Sequence, residues 1–535
     1  MINLDLRHTY EALTRYNYFP NQKVIQELPP CFSSRGFTPE VSELLSARKT
    51  PKDRSGGYDH VEYHSTRHNN VPRTLGLIHP AAYAPLAKVI VDNWERISEV
   101  GHNEQSMIKP SIYADGRMLV MNYEDPEERM IKSLRDGFGC NYRVTTDISG
   151  CFGSVYSHSI PWAILGIDAA KDRVGTAELG KHWSEKLDLH VRRSKRNETL
   201  GIPIGPATSS IIVELILGEV DKKLIDAGYK FHRYIDDYIC FCKSEDDSKK
   251  FIQILGNELR RYKHNLSLAK TSIVALPAPA NDGWVSKLIG ALPNRFQDEG
   301  LIKEMYLQEL IQFLDFAIIL NKHTSDGAVL RYAIGLISPC IKGRTVQPII
   351  DYIINLCWHF PTLLPHLNFL MEKDGVDPSQ FEGRINELII ENAKNRRSDG
   401  MSWPLYLIWR HNLNISIEAI SAVIESEDCI SLCVLYHIGS SNDRIIEFAK
   451  EISKKGNFEK DKYWILLYQL YRNGKIRSPY RDDTFSILLK NGVNFMPKVE
   501  QVSLAEEYCT YRCHPFIEEE DFLSYSEWIL TKRKK

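Results

Sequence analysis

Apolar positions along this chain change their spacing near residue 290. Before it, short apolar runs alternate with helical stretches. Residues 80–98 (PAAYAPLAKVIVDNWERIS) carry apolar side chains at helical spacing. Residues 111–123 (SIYADGRMLVMNY) predict a hairpin about the Asp115-Gly116 turn pair, and 126–139 predict a helix. A buried strand is predicted in YRVTTDISGCF (142–152), opening into a loop. A Gly/Pro loop and a long helix follow in GIPIGPATSSIIVELILGEVDKKLIDAG (201–228). KFHRYIDDYICFCKS (230–244) predicts a second hairpin, 247–265 a helix, and LSLAKTSIVAL (266–276) a strand. The order β–α–β–β–α–β over 142–276 is the ferredoxin-like, split βαβ arrangement. After residue 290 the pattern is helical throughout: 302–321, 346–360, 415–426, 429–439, 443–456 and 460–476 are amphipathic stretches between short polar turns. They predict helical hairpins stacked as an α-solenoid. The expected organisation is an α+β part over 1–290 and an all-α part over 291–535. Residues 1–60, with the turn-rich QELPPCFSSRGFTPE and RKTPKDRSGGYD, read as irregular. The tail TKRKK reads as frayed.

Composition narrows the class. At 535 residues the chain exceeds a single core, and 43% hydrophobic content is that of a globular protein. Lys and Arg number 67 against 69 Asp and Glu, a balance that argues against coating long nucleic acid by bulk charge. No apolar run reaches the roughly 18–20 residues of a membrane span, and the start lacks a secretory apolar core. A cytoplasmic protein without a membrane partner is expected. The 11 cysteines show no CxxC zinc spacing. CTYRCH (509–514) is a weak metal candidate, and reduced, mostly buried thiols are the expected state.

Asp236 and Asp237 stand side by side in the apolar and aromatic run RYIDDYICF. A turn alone would explain them, since Asp is a good turn residue. Asp147 changes that reading, because VTTDISGCF also ends an apolar strand in a carboxylate. In the β–α–β–β order the two strand ends lie side by side. Carboxylates a few Å apart repel unless a cation sits between them. Oxygen ligands suit Mg²⁺, or Mn²⁺ in its place. Two such ions clamp the attacking and leaving oxygens of an in-line phosphoryl transfer. The reaction class is nucleotidyl transfer, with Asp147, Asp236 and Asp237 as catalytic and metal-binding candidates.

Four motifs then carry a resemblance. YIDD (234–237) matches the YxDD signature of reverse transcriptases, and Asp147 with Phe152 five residues on matches their first palm motif. GIPIGPATS (201–209) is similar to their GxPxGxxxS motif, and LSLAKT about Lys270 to the lysine motif after the second palm helix. The resemblance covers about residues 70–276. It implies fingers and palm, with Asp147 and Asp236 as main metal ligands and Asp237 assisting. It implies Phe152 as a steric gate against a 2′-hydroxyl. Gly201, Pro203 and Gly205 would let backbone approach the nascent base pair. Lys270 would protonate the leaving pyrophosphate, its other reading being a plain surface lysine. Arg117 and Lys109 on the fingers hairpin would hold the nucleoside triphosphate, or lie on a solvated face.

DISGCFGSVYSHSIPWAILG (147–166) resembles the abortive-infection polymerases, the AbiK-type reverse transcriptases of bacterial anti-phage defence. The helical half resembles the HEAT-like repeat domain that replaces their thumb. That resemblance implies DNA synthesis from deoxynucleoside triphosphates without a template, primed by a protein hydroxyl. The single-stranded DNA product stays covalently attached, and the protein is a homo-oligomer, a trimer or hexamer. Tyr10, Tyr16, Tyr18, Tyr58 and Tyr63 are primer candidates whose other reading is core packing. RRSKR (192–196) would guide the product or be a solvated helix end. Two alternatives stay open: a retron-like, templated RNA-dependent DNA polymerase using a separate RNA, and a non-catalytic nucleic-acid-binding scaffold.

Overall fold

The computed structural model describes residues 6–20, 27–67, 71–101, 103–108, 126–279, 283–293, 304–324 and 328–497. The hairpin expected at 111–123, with Lys109 and Arg117, lies outside the described residues, as do Cys509–His514 and the basic tail.

Among the described residues six strands form two sheets. β1 (His60–Thr66) and β2 (Pro72–Ile78) pair antiparallel, with His60 opposite Ile78 and Tyr63 opposite Leu75. β3 (Tyr142–Asp147), β4 (Lys230–Tyr234), β5 (Asp237–Cys242) and β6 (Ser272–Ala275) form the second sheet in the order β4-β5-β3-β6, every neighbour antiparallel. β3 and β4 therefore run parallel with β5 between them, which is the split β–α–β order read from the pattern. Helix Ala207–Asp226 connects them and buries most of its length, from Ile211 to Leu224. Helix Glu245–Arg261 starts with the Ser244 side chain accepting from Asp247 N at 3.1 Å. Its Phe251, Leu255 and Leu259 lie on one face at i, i+4, i+8 and are buried.

Three local expectations change. Residues 1–60 are not simply irregular. Helix Pro39–Ser46 begins at Thr38, whose hydroxyl accepts from Val41 N, with Pro39 at the first helical position. The helix expected over 80–98 is broken at Asn93 into Pro80–Asp92 and Trp94–Gly101. The strand expected over 266–276 is only four residues, because Leu268–Lys270 turns as a 3₁₀ helix first.

From Leu307 onward the described chain is helical. Leu307–Lys322 packs on Ala328–Ile337, Val346–His359 on Leu364–Met371, and Glu382–Lys394 on Ser398–Arg410. The last pair carries Ile417–Ser426 and Cys429–Ile438 on its far side. Helix Ser398–Arg410 also lies on β1. There Asp399, buried, accepts from Thr66 N and Thr66 Oγ1, each at 2.7 Å. Trp464 Nε1 donates to Leu77 O at 2.9 Å. The N-terminal segment, the β1–β2 hairpin and the helical half thus share one apolar core.

Candidate catalytic site

Asp147 is the last residue of β3 and pairs in register with Asp237, the first of β5. Tyr234 pairs with Asp237, so Ile235 and Asp236 form a two-residue loop between β4 and β5. Ile148 N donates to Asp236 O at 3.1 Å and Ser267 N to Asp147 O at 2.7 Å. These bonds seat Asp147 and Asp236 at one corner of the sheet. Burial first and the Asp147 charge second raise the Asp236 pKa to about 6, against opposing fields from Lys270 and Arg73. Asp147 is buried, while Asp237 is exposed.

Lys270 sits at the same corner with its ammonium on Asp147 Oδ2. That hydrogen bond raises the lysine pKa and outweighs burial, which lowers it. A cation therefore already belongs against this carboxylate. Among the described residues no three His, Cys, Asp or Glu side chains are gathered as a metal cluster. The donors that do meet are the two carboxylates Asp147 and Asp236. An oxygen-only pair of carboxylates, at a corner where burial and the Asp147 charge oppose ionisation of Asp236, fits a hard divalent ion.

Phe152 lies in the short helix Cys151–Ser154, nearly buried beneath the loop that follows Leu200. Gly201 N donates to Val155 O at 2.7 Å and Ile202 N to Phe152 O at 3.0 Å. The loop is held on its other side by the first sheet, through Gly76 N to Ile204 O at 2.9 Å. Gly201 has φ +79° and Gly205 φ +128°, conformations that favour glycine. At Gly205 the close approach is to the chain itself: a Cβ there would lie 2.7 Å from Pro20 Cβ. The Gly205 position is thus explained by packing on the N-terminal segment.

Arg73 on β2 was not singled out by the pattern, because a lone arginine in PRTLGLI carries no spacing signal. Its field reaches Asp236, and its Nε is buried without a hydrogen-bond partner. Its Nη1 stands 4.0 Å from Glu27 Oε1.

Two expectations give way to packing. Tyr10, Tyr16, Tyr18, Tyr58 and Tyr63 are all buried. Tyr18 stacks on Tyr83 at 4.0 Å and donates to Ile78 O, and Tyr63 OH meets Ser402 Oγ at 3.2 Å. The core reading holds for all five. In RRSKR, Arg192 bonds Asp188 and Asn197, Arg193 bonds Thr50, Lys195 bonds Leu200 O, and Arg196 bonds Asp59. These cations tie the helix end to its surroundings. The nine described cysteines are free, and all but Cys140 are buried.

A family model described as reverse transcriptase (RNA-dependent DNA polymerase) matches residues 73–315. Those residues are similar to the reverse transcriptase domain. No curated protein matches the chain. Two solved telomerases resemble it weakly. One, from Candida albicans with a fragment of telomeric RNA, is 11% identical over 71% of each chain with TM-score 0.30. The other, apo telomerase from Candida tropicalis, is 11% identical over 76% of this chain and 72% of that one with TM-score 0.31. These overlaps are too low to argue from.

Proposed function

We propose that the reverse transcriptase domain at residues 73–315 is a working DNA polymerase, and that it joins deoxynucleotides by two-metal nucleotidyl transfer. The observation that carries this is the pairing of β3 with β5, which sets Asp147 beside Asp236 and opposite Asp237. Asp147 and Asp236 would hold Mg²⁺, or Mn²⁺, with Asp237 shaping the corner. The ions, when bound, supply positive charge at the attacking and leaving oxygens. Phe152 closes the space beneath the sugar and so selects against a 2′-hydroxyl. Lys270, whose ammonium lies on Asp147, would be the group placed to give a proton to the departing pyrophosphate. Arg73, with Lys109 and Arg117 of the sequence motif, supplies charge for the triphosphate.

The finer reading is an AbiK-type enzyme of phage defence. In it residues 291–535 form a HEAT-like helical domain in place of a thumb, and the protein works as a homo-oligomer. Synthesis is template-free and starts on a protein hydroxyl, leaving the DNA attached. The stacked helix pairs and the YSHSIPWA stretch support it. Burial of the five N-terminal tyrosines moves the priming hydroxyl elsewhere in the chain.

The test is to give the full-length protein Mg²⁺ and labelled deoxynucleotides with no template or oligonucleotide, then boil it in detergent. Label that migrates with the polypeptide, and is lost in Asp236→Asn, supports the reading. Label that appears only with added template and primer replaces it with a templated polymerase. No incorporation under either condition leaves the scaffold reading.

A further inference from the structure

Arg233, one residue before Tyr234 on β4, has a fully buried side chain. Four hydrogen bonds and one further ion contact engage the guanidinium. Nε donates to Asp221 Oδ2 at 2.9 Å, and Nη2 reaches the same oxygen at 2.8 Å. Nη1 and Nη2 take the two oxygens of Glu214 at 2.7 and 3.0 Å. The remaining Nη1 hydrogen goes to Ile235 O at 2.8 Å.

That last acceptor belongs to the residue preceding Asp236. Ile235 has φ +58°, in the left-handed region that a β-branched side chain strongly disfavours. Its carbonyl is thus pinned in a conformation the residue would not choose. The peptide it fixes leads directly into Asp236, whose own carbonyl receives Ile148 N.

The cluster also reaches beyond the palm sheet. Ser106 Oγ donates to Glu214 at 2.9 Å and Asn103 Nδ2 to Asp221 at 2.6 Å. Arg233 N donates to Gln105 O at 2.7 Å, and Met107 N to Arg233 O at 2.8 Å. Tyr238 OH completes Asp221 at 2.9 Å.

We propose that Arg233 is a positioning residue: through Glu214 and Asp221 it holds the left-handed Ile235 peptide so that Asp236 faces Asp147, and it locks that turn to segment 103–108. The proposal rests on the polymerase reading for its importance to catalysis, but its geometry concerns cation binding at the Asp147–Asp236 corner. Lysine would keep the charge between the two carboxylates. With three donors, it cannot serve Glu214, Asp221 and the Ile235 carbonyl as the fork does.

The experiment uses full-length wild type, Arg233→Lys, Ile235→Gly and the double variant. It reads Mn²⁺ binding by electron paramagnetic resonance and, separately, kcat and KM for deoxynucleotide at saturating Mg²⁺. Arg233→Lys should weaken Mn²⁺ binding about fivefold and lower kcat about tenfold, with KM within about threefold. Glycine adopts the left-handed turn without strain. Ile235→Gly in the Arg233→Lys background should therefore recover most of both losses. A role in general folding would not be rescued by a change confined to the turn. Unaltered Mn²⁺ binding in Arg233→Lys, or a double variant no better than Arg233→Lys, overturns the proposal. If wild type incorporates nothing but the Mn²⁺ affinities follow the expected order, positioning stands and the polymerase reading falls. Should Arg233→Lys not fold, Glu214→Gln serves, because its amide nitrogen cannot accept from Nη2. A folded Glu214→Gln with wild-type Mn²⁺ affinity is likewise fatal.

Discussion

Asp236 is charged at neutral pH in a place that resists the charge. In the unfolded chain it loses its proton near the ordinary value of 3.8, and in the folded protein near 6. The stability that protonated Asp236 contributes is fully present below about pH 3.8 and is lost as pH rises through about 6. Asp236→Asn removes that loss. Without metal it should unfold at a higher temperature than wild type at pH 7.5, by at most about 3 kcal/mol and less where solvent screens this half-buried group. At pH 4 the two proteins should nearly coincide. Calorimetry at both pH values checks this, and equal melting at pH 7.5 contradicts the penalty that burial and the Asp147 charge place on ionised Asp236. Activity runs the other way: the same variant should lose nucleotide incorporation with Mg²⁺. Phe152 is tested by sugar choice. Phe152→Val should raise the ratio of ribo- to deoxynucleotide incorporation about tenfold or more, as a purely steric gate requires. An unchanged ratio rejects the gate.

The elements around the corner are set by backbone conformation as much as by side chains. The Gly201–Gly205 loop lies between β2 and the N-terminal segment, with Ala207 N bonded to Asn17 O at 3.0 Å. Gly205 is both left-handed and in contact with Pro20, so Gly205→Ala should destabilise by about 1–3 kcal/mol. Gly383, in helix Glu382–Lys394, has open space where a Cβ would stand. Gly383→Ala should therefore stabilise by about 0.5–1 kcal/mol. Urea unfolding of the pair reads opposite signs, and a loss in both would show that the two glycines are not distinguished by conformation and space.

At the scale of the molecule, the two halves are joined by groups that cannot be exposed cheaply. Arg54 forms a two-pronged pair with Asp461, at 2.7 and 2.9 Å, with both side chains buried and Asp59 N on the same carboxylate. Arg54→Met leaves Asp461 charged and unpaired, which should cost about 3–5 kcal/mol. β1 lies against helices Ser398–Arg410 and Trp464–Arg472, with buried Tyr63 on Ser402, and Trp464 bonds Leu77 O of β2. A chain ended at residue 290 should therefore show no cooperative thermal transition, whereas the whole chain melts as a unit. Calorimetry of the shortened chain decides this, and a sharp transition would give the first half a core of its own.

Much of the site was legible because its signals are local. A carboxylate ending an apolar strand, a paired Asp in a hairpin turn and a Gly/Pro loop before a helix are each read within a dozen residues. The helical half was legible for the same reason, since Leu310, Phe313, Leu314 and Ala317 repeat at the helix period. The split strand order followed from the succession of elements. Tertiary structure decided what depends on partners far along the chain. Tyr18 and Tyr63 look like any tyrosine until Tyr83 and Ser402 cover them. Arg73 gains meaning only beside Asp236, and Gly205 only against Pro20. Arg233 is an ordinary basic residue of the KFHRY strand until helix Ala207–Asp226 brings Glu214 and Asp221 to it. Periodicity reports which face of an element is apolar. It does not report what that face meets, because the meeting is set by contacts whose partners lie anywhere from about ten to several hundred residues away.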